Sequence, residues 1–186
     1  AQDLPQDIEE ESSSNLVPLL NLRSHMIFKR VSLKLAKKDA RFAHEYLKRV
    51  LPELKNEGGS KGDIEWVSKL LYYGSKYVSQ ELALETAHYL HGLIQKYQAN
   101  ISYQSIEYFI DALNICIHLK APPESFAKEE AWISEYFTDK LDRTIDLPTH
   151  EEYLKALSSL ASYNRYYVIK DRTDLARQYI EKWCLE

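Results

Sequence analysis

The sequence predicts an all-α chain of about eight helices, paired into four antiparallel hairpins that stack as a right-handed α-solenoid. Three observations carry this expectation. Only five glycines and six prolines occur in 186 residues, too few for the many tight turns of a β-sandwich. Apolar residues recur at helical spacing almost from end to end. The first helices of the hairpins start near residues 15, 63, 102 and 149 and the second helices near 39, 79, 123 and 171. The intervals of 39 to 48 residues are the period of a solenoid built from helix pairs.

The elements follow in order. Residues 1–14 read as an acidic flexible tail, because five acids, three consecutive serines and few apolar side chains cannot offset the entropy of ordering. Residues 15–186 read as a single helical-repeat domain. The first helix is expected to bury Leu16, Leu20, Ile27, Val31 and Leu35. Asp39 caps the second, with Ala43, Tyr46, Leu47, Val50, Leu51 and Leu54 inward, and Pro52 is expected to kink it or end it early. The loop Gly58-Gly59-Ser60-Lys61-Gly62 leads to a third helix capped by Asp63, with Trp66, Val67, Leu70, Leu71, Gly74 and Val78 inward. Glycine costs about 1 kcal/mol against alanine inside a helix, so Gly74 reads as the mark of a close crossing. Ser79 caps the fourth helix (Ala83, Ala87, Leu90, Ile94) and Ser102 the fifth (Ile106, Phe109, Ile110, Leu113, Ile117). Pro122-Pro123 precedes a sixth with Phe126, Trp132, Ile133, Tyr136, Phe137 and Leu141. Thr149 and Glu152 form a capping box for a seventh, and Asp171 or Thr173 opens an eighth.

Trp66 early in one helix, Gly74 later in it, and the small residues Ala83 and Ala87 on the next resemble a tetratricopeptide or pentatricopeptide repeat. Tyr103 and Tyr153 hold comparable early positions in the following hairpins. Lys69-Leu70 stand where the tetratricopeptide pattern has Leu-Gly, and every hairpin exceeds its period of 34. The resemblance is architectural, covers residues 16–186, and implies a helical-hairpin stack with no functional residue carried over.

Charge is uneven along the chain. Residues 1–19 hold five acids and no base, residues 20–61 hold eleven Lys/Arg against four acids, and residues 121–152 hold nine acids against three bases. Two cysteines, Cys116 and Cys184, make no disulfide framework and point to an intracellular, reducing compartment, cytoplasm or nucleus. No apolar run approaches the ~20 residues of a membrane span. The chain does not begin with Met, which reads as a processed or excised form.

Enzyme chemistry finds no purchase in the sequence. Glu85 and His88 have the Glu-x-x-His spacing of di-iron bundles, but there is no second such motif, and His91 drifts off the face that Glu85 occupies. Cys116 and His118, two apart, point to different sides of a helix. The glycine loop lacks the strand and spacing of a phosphate-binding loop. No catalytic residue, cofactor or metal set is therefore expected, and no small-molecule substrate.

Two surface constellations remain. Arg23, Arg30, Lys34, Lys37 and Arg41 align within about 60° of arc if their helix is continuous, a stripe suited to an acidic protein or a phosphate backbone. Tyr72-Tyr73 and Asn164-Arg165-Tyr166-Tyr167 contain adjacent aromatics that cannot all face inward, so one of each pair is exposed. Exposed Tyr with Arg suits a protein hot spot or a stacking platform for single-stranded RNA. Trp183, on a last helix without a stop signal, reads as part of an assembly surface. The function implied is a scaffold that binds a protein segment or a neighbouring subunit of a larger complex. The alternative is an RNA-binding helical-repeat factor.

Overall fold

The computed structural model describes residues 25–142. The expected tail, the seventh and eighth helices, and Arg23, Arg165, Tyr166, Tyr167 and Trp183 lie outside the described residues. So do the side chains of Tyr103, Phe137 and Leu141.

Every regular element within the described residues is helical. Helix α1 runs over residues 25–38. It is followed by α2 (Ala40–Glu57), α3 (Gly62–Gly74), α4 (Gln80–Lys96), α5 (Tyr103–His118) and α6 (Ala127–Asp142), with short 3-10 turns at Gln98–Asn100 and Pro123–Phe126. The boundaries follow local chemistry. Asp39 accepts hydrogen bonds from the amides of Arg41 and Phe42, Ser79 from Leu82 and Ser102 from Ser105. Each satisfies an amide that a helix start leaves without an intrahelical partner. Gly58, at φ 80°, terminates α2 in the left-handed region.

Two expectations about helix ends need correction. Asp63 is not the cap of α3. It lies inside the helix and reaches back, its Oδ2 accepting from the amide of Ser60 at 2.5 Å and from the Ser60 hydroxyl at 2.8 Å, so its carboxylate ties the loop to the first turn of the helix. Nor does Pro52 end its helix, since α2 continues to Glu57. Pro52 and Lys48 are both exposed, on the side of α2 where water can reach the carbonyl deprived of its amide partner.

The core forms where the inward faces of α2 to α6 meet. Leu47, Leu51, Ile64, Leu70, Leu71, Leu90, Phe109 and Phe126 are its largest fully buried side chains. Helix α3 packs against α2, α4 and α5, and α4 packs on α5. The closest approach is at Gly74: a Cβ there would lie 2.8 Å from the backbone nitrogen of His44 on α2. The crossing expected of this glycine is present, and it depends on the missing side chain.

Side-chain hydrogen bonds join helices that are not adjacent in sequence. The Trp66 indole donates to the Ser32 hydroxyl across 3.0 Å, linking α3 to α1. Ser68 donates to the Tyr108 carbonyl at 2.9 Å, linking α3 to α5. His91 and Glu129, 3.1 Å apart, link α4 to α6. Lys29 pairs with Asp63 at the α1–α3 contact and also lies over the Trp66 ring. Burial pushes the Asp63 carboxyl up, but Lys29 and both donors of Ser60 more than offset it and hold the group below its ordinary value.

Helix α1 departs from expectation in which face it buries. Ser32 and Ala36 are buried, and Lys29 and Leu33 half-buried, whereas Ile27, Val31 and Leu35 face outward. The inward face is chosen by Trp66 and Asp63, which offer α1 an indole N–H and a carboxylate. The Ser32 hydroxyl and the Lys29 ammonium answer them.

Candidate functional site

Five large apolar side chains stand exposed on α1. Met26, Ile27, Phe28, Val31 and Leu35 each retain between 48% and 61% of their accessible surface. Ile27, Val31 and Leu35 are spaced i, i+4, i+8 and form one strip. Arg30, Lys34 and Lys37, all exposed, run beside it. Arg41 does not continue this row: the helix breaks at Asp39, so Arg41 opens α2, where its guanidinium lies 5.6 Å from the centroid of the Tyr77 ring. Alignment of Arg41 with the other bases required a continuous helix, and the Asp39 cap removes that condition.

A groove of about 570 Å³ opens between α1 and α2 beside this strip. Phe28, Leu35, Phe42, Tyr46, Val50 and Trp66 contribute its apolar lining. Phe42 and Tyr46 stack at 5.4 Å, and Phe28 meets Tyr46 edge-on at 5.9 Å. Arg49, Glu53 and Glu57 stand along it from α2. Such a lining can take an apolar side chain, and His25 of α1 also borders it.

The aromatic pair on α3 divides as adjacency on a helix demands. Tyr72 is 63% exposed, Tyr73 packs against the core, and the rings meet edge-on at 5.7 Å. Tyr72 is far in sequence from α1 and contributes nothing to the α1–α2 groove; it borders a second groove, toward α5.

The residues weighed for chemistry have structural occupations. Glu85 pairs with Lys55 of α2 at 2.6 Å. His88 meets the Ser125 carbonyl at 2.9 Å, and His91 stacks on Phe109 with ring centroids 5.5 Å apart. Among the described residues no group of three His, Cys, Asp or Glu side chains is placed to hold a metal ion. Cys116 is fully buried, and burial pushes its thiol up to about 12, which leaves almost no thiolate at neutral pH. The two glycines of the loop after α2 turn carbonyls toward their neighbours, Lys96 donating to Gly58 O at 2.7 Å and Tyr97 to Gly59 O at 3.0 Å, and the Ser60 amide is already taken by the Asp63 carboxylate. An anion would need the opposite polarity. No helix among the described residues is long and apolar enough to cross a membrane.

The buried His91–Glu129 contact was not legible in the sequence, since its partners lie 38 residues apart and no local pattern joins them. Burial pushes the Glu129 carboxyl up, but the His91 hydrogen bond, a backbone amide and the charges of His88 and His91 together hold it below its ordinary 4.5. A carboxylate with a lowered value in the fold stabilises at pH above its unfolded value and loses that contribution as pH falls through the folded one. Glu129→Gln should therefore be less stable than the native chain at neutral pH, with the gap closing below pH 4.5. Melting temperatures of the two proteins measured across that range check it. A constant gap would show that the Glu129 charge contributes nothing.

No protein-family model, no curated protein and no solved structure matches this chain. The functional reading therefore rests on the surfaces themselves.

Proposed function

We propose that this chain is a non-enzymatic interaction module, a stack of helical hairpins similar to the tetratricopeptide class. In this reading α1 docks an amphipathic, acid-flanked helix of a protein partner within a larger assembly. The observation that carries it is the exposed strip of Ile27, Val31 and Leu35 with Met26 and Phe28 beside it. Contiguous apolar surface rimmed by polar residues is a mark of protein interaction sites, and i, i+4, i+8 anchors suit a helix-to-helix contact. Arg30, Lys34 and Lys37 along the strip select acidic flanks and steer the encounter. The hairpin stack is supported by the ties between successive pairs. Trp66–Ser32, Ser68–Tyr108 and His91–Glu129 link residues 34, 40 and 38 apart, a spacing typical of helix-pair repeats.

RNA is the less favoured occupant, because exposed aliphatic side chains do nothing for a phosphate backbone. Three fluorescent probes separate the readings by anisotropy: an amphipathic helical peptide flanked by Glu, the same peptide flanked by Lys, and a single-stranded RNA. The Glu-flanked peptide should bind the full chain at least tenfold more tightly than the Lys-flanked one, and Val31→Asp should abolish that binding. Equal binding of both peptides, or tighter binding of the RNA, would overturn the proposal. So would self-association of the chain that Val31→Asp removes, since a second copy would then occupy the strip.

A further inference from the structure

A second groove, of about 590 Å³, lies between the C-terminal end of α3 and the outward face of α5. Tyr72, Ser75 and Lys76 border it from the α3 side, and Asp111, Asn114 and His118 from α5. Asp111, Asn114 and His118 are spaced i, i+3, i+7, which places them along one face of the helix. We propose that this groove binds a guanidinium group, with Asp111 and Asn114 accepting its hydrogen bonds and the Tyr72 ring covering its face.

The groove holds acceptors that lack donors. The Oδ1 of Asn114 is buried and has no hydrogen-bond partner among the described residues, a condition that costs stability unless something supplies the donor. No ion pair or hydrogen bond reaches Asp111 from the described residues. Burial, with help from the like charge of Glu107, pushes its carboxyl up to about 6, the condition of a carboxylate that has lost water and gained no cation. Lys76, which also borders the groove, has its ammonium over the Tyr77 ring instead, 5.7 Å from the centroid.

The ligand must therefore bring positive charge and more than one N–H. Guanidinium fits better than ammonium on two counts. Its planar fork supplies several donors in fixed directions, enough for a carboxylate and an amide oxygen together. Its flat face stacks on an aromatic ring, and the exposed Tyr72 offers one at the rim. The group could arrive on an arginine side chain of a peptide or on a free guanidinium compound, and the two sources share this chemistry. The inference does not rest on the α1 surface, because none of its residues belongs to α1 or α2.

The test uses the full chain, isotopically labelled, with amide and side-chain shifts followed on titration. The probes are acetyl-Gly-Arg-Gly-amide, the same peptide with citrulline, the same with lysine, and methylguanidinium. The arginine peptide should shift Tyr72 and Asn114 and bind at least tenfold more tightly than the citrulline peptide, which keeps the shape but not the charge. The lysine peptide should fall between them. If methylguanidinium matches the arginine peptide, the source is a small guanidinium compound; if it binds tenfold more weakly, the source is a peptide. Asp111→Asn removes an unpaired charge and should fold at least as well as the native chain while losing most of the affinity. Tyr72→Ala, at an exposed position, should weaken binding severalfold with the fold intact. Citrulline binding as well as arginine, or undiminished affinity in Asp111→Asn, would overturn the proposal.

Discussion

Replacing Trp66 with alanine should lower the unfolding free energy by about 3–5 kcal/mol, the cost of emptying a buried aromatic site. Trp66 is nearly fully buried, and its loss removes more than volume. The indole N–H is the donor that holds Ser32 of α1, its ring receives Lys29, and Tyr46 of α2 meets it edge-on at 6.0 Å. Three helices lose a common anchor. Trp66→Phe keeps most of the packing and should cost much less, with about 1 kcal/mol of the loss assignable to the hydrogen bond. Denaturant unfolding of the two variants checks this, and α1 amides should exchange faster in Trp66→Ala. A cost below about 1.5 kcal/mol would mean that α1 is held by other contacts.

The second large effect has a sign that helix propensity alone would get wrong. Gly74→Ala, judged as a helix residue, should stabilise by about 1 kcal/mol. At the α2–α3 crossing, however, the new Cβ would meet the backbone of Ala43 and His44, atoms that cannot rotate aside. Overpacking of this kind costs about 1–3 kcal/mol, so the variant should be destabilised on balance. Gly92, on α4, is the internal control, because a Cβ there meets nothing within 4 Å. Gly92→Ala should stabilise by about 0.5–1 kcal/mol. Opposite signs for the two glycines confirm the tight crossing; the same sign for both would refute it.

What could be read in the sequence, and what could not, follows from the range of the forces involved. The caps at Asp39, Ser79 and Ser102 and the inward faces of α2 to α5 were legible, because capping bonds span two or three residues and periodicity repeats every turn. The orientation of α1 was not. Its strongest apolar stripe, Ile27, Val31 and Leu35, is the one left exposed, while a serine and an alanine turn inward. Periodicity reports that a stripe exists and is silent about which neighbour meets it. The inward face was set by the indole and carboxylate of α3, 34 residues along the chain. The same limit hid His91–Glu129 and the two grooves, which arise only where separate helices meet. The basic stripe was half legible: Arg30, Lys34 and Lys37 share a helix, but the cap at Asp39 sends Arg41 elsewhere.

The apolar strip of α1 is, in the proposed function, the docking surface. Residue-resolved shift mapping with the Glu-flanked amphipathic peptide tests that most directly. Shifts and line broadening should centre on Ile27, Val31, Lys34 and Leu35, Val31→Asp should remove them, and the melting temperature of this variant should stay close to that of the native chain. Shifts confined to other helices, or a Val31→Asp chain that unfolds because Val31 is core after all, would contradict it.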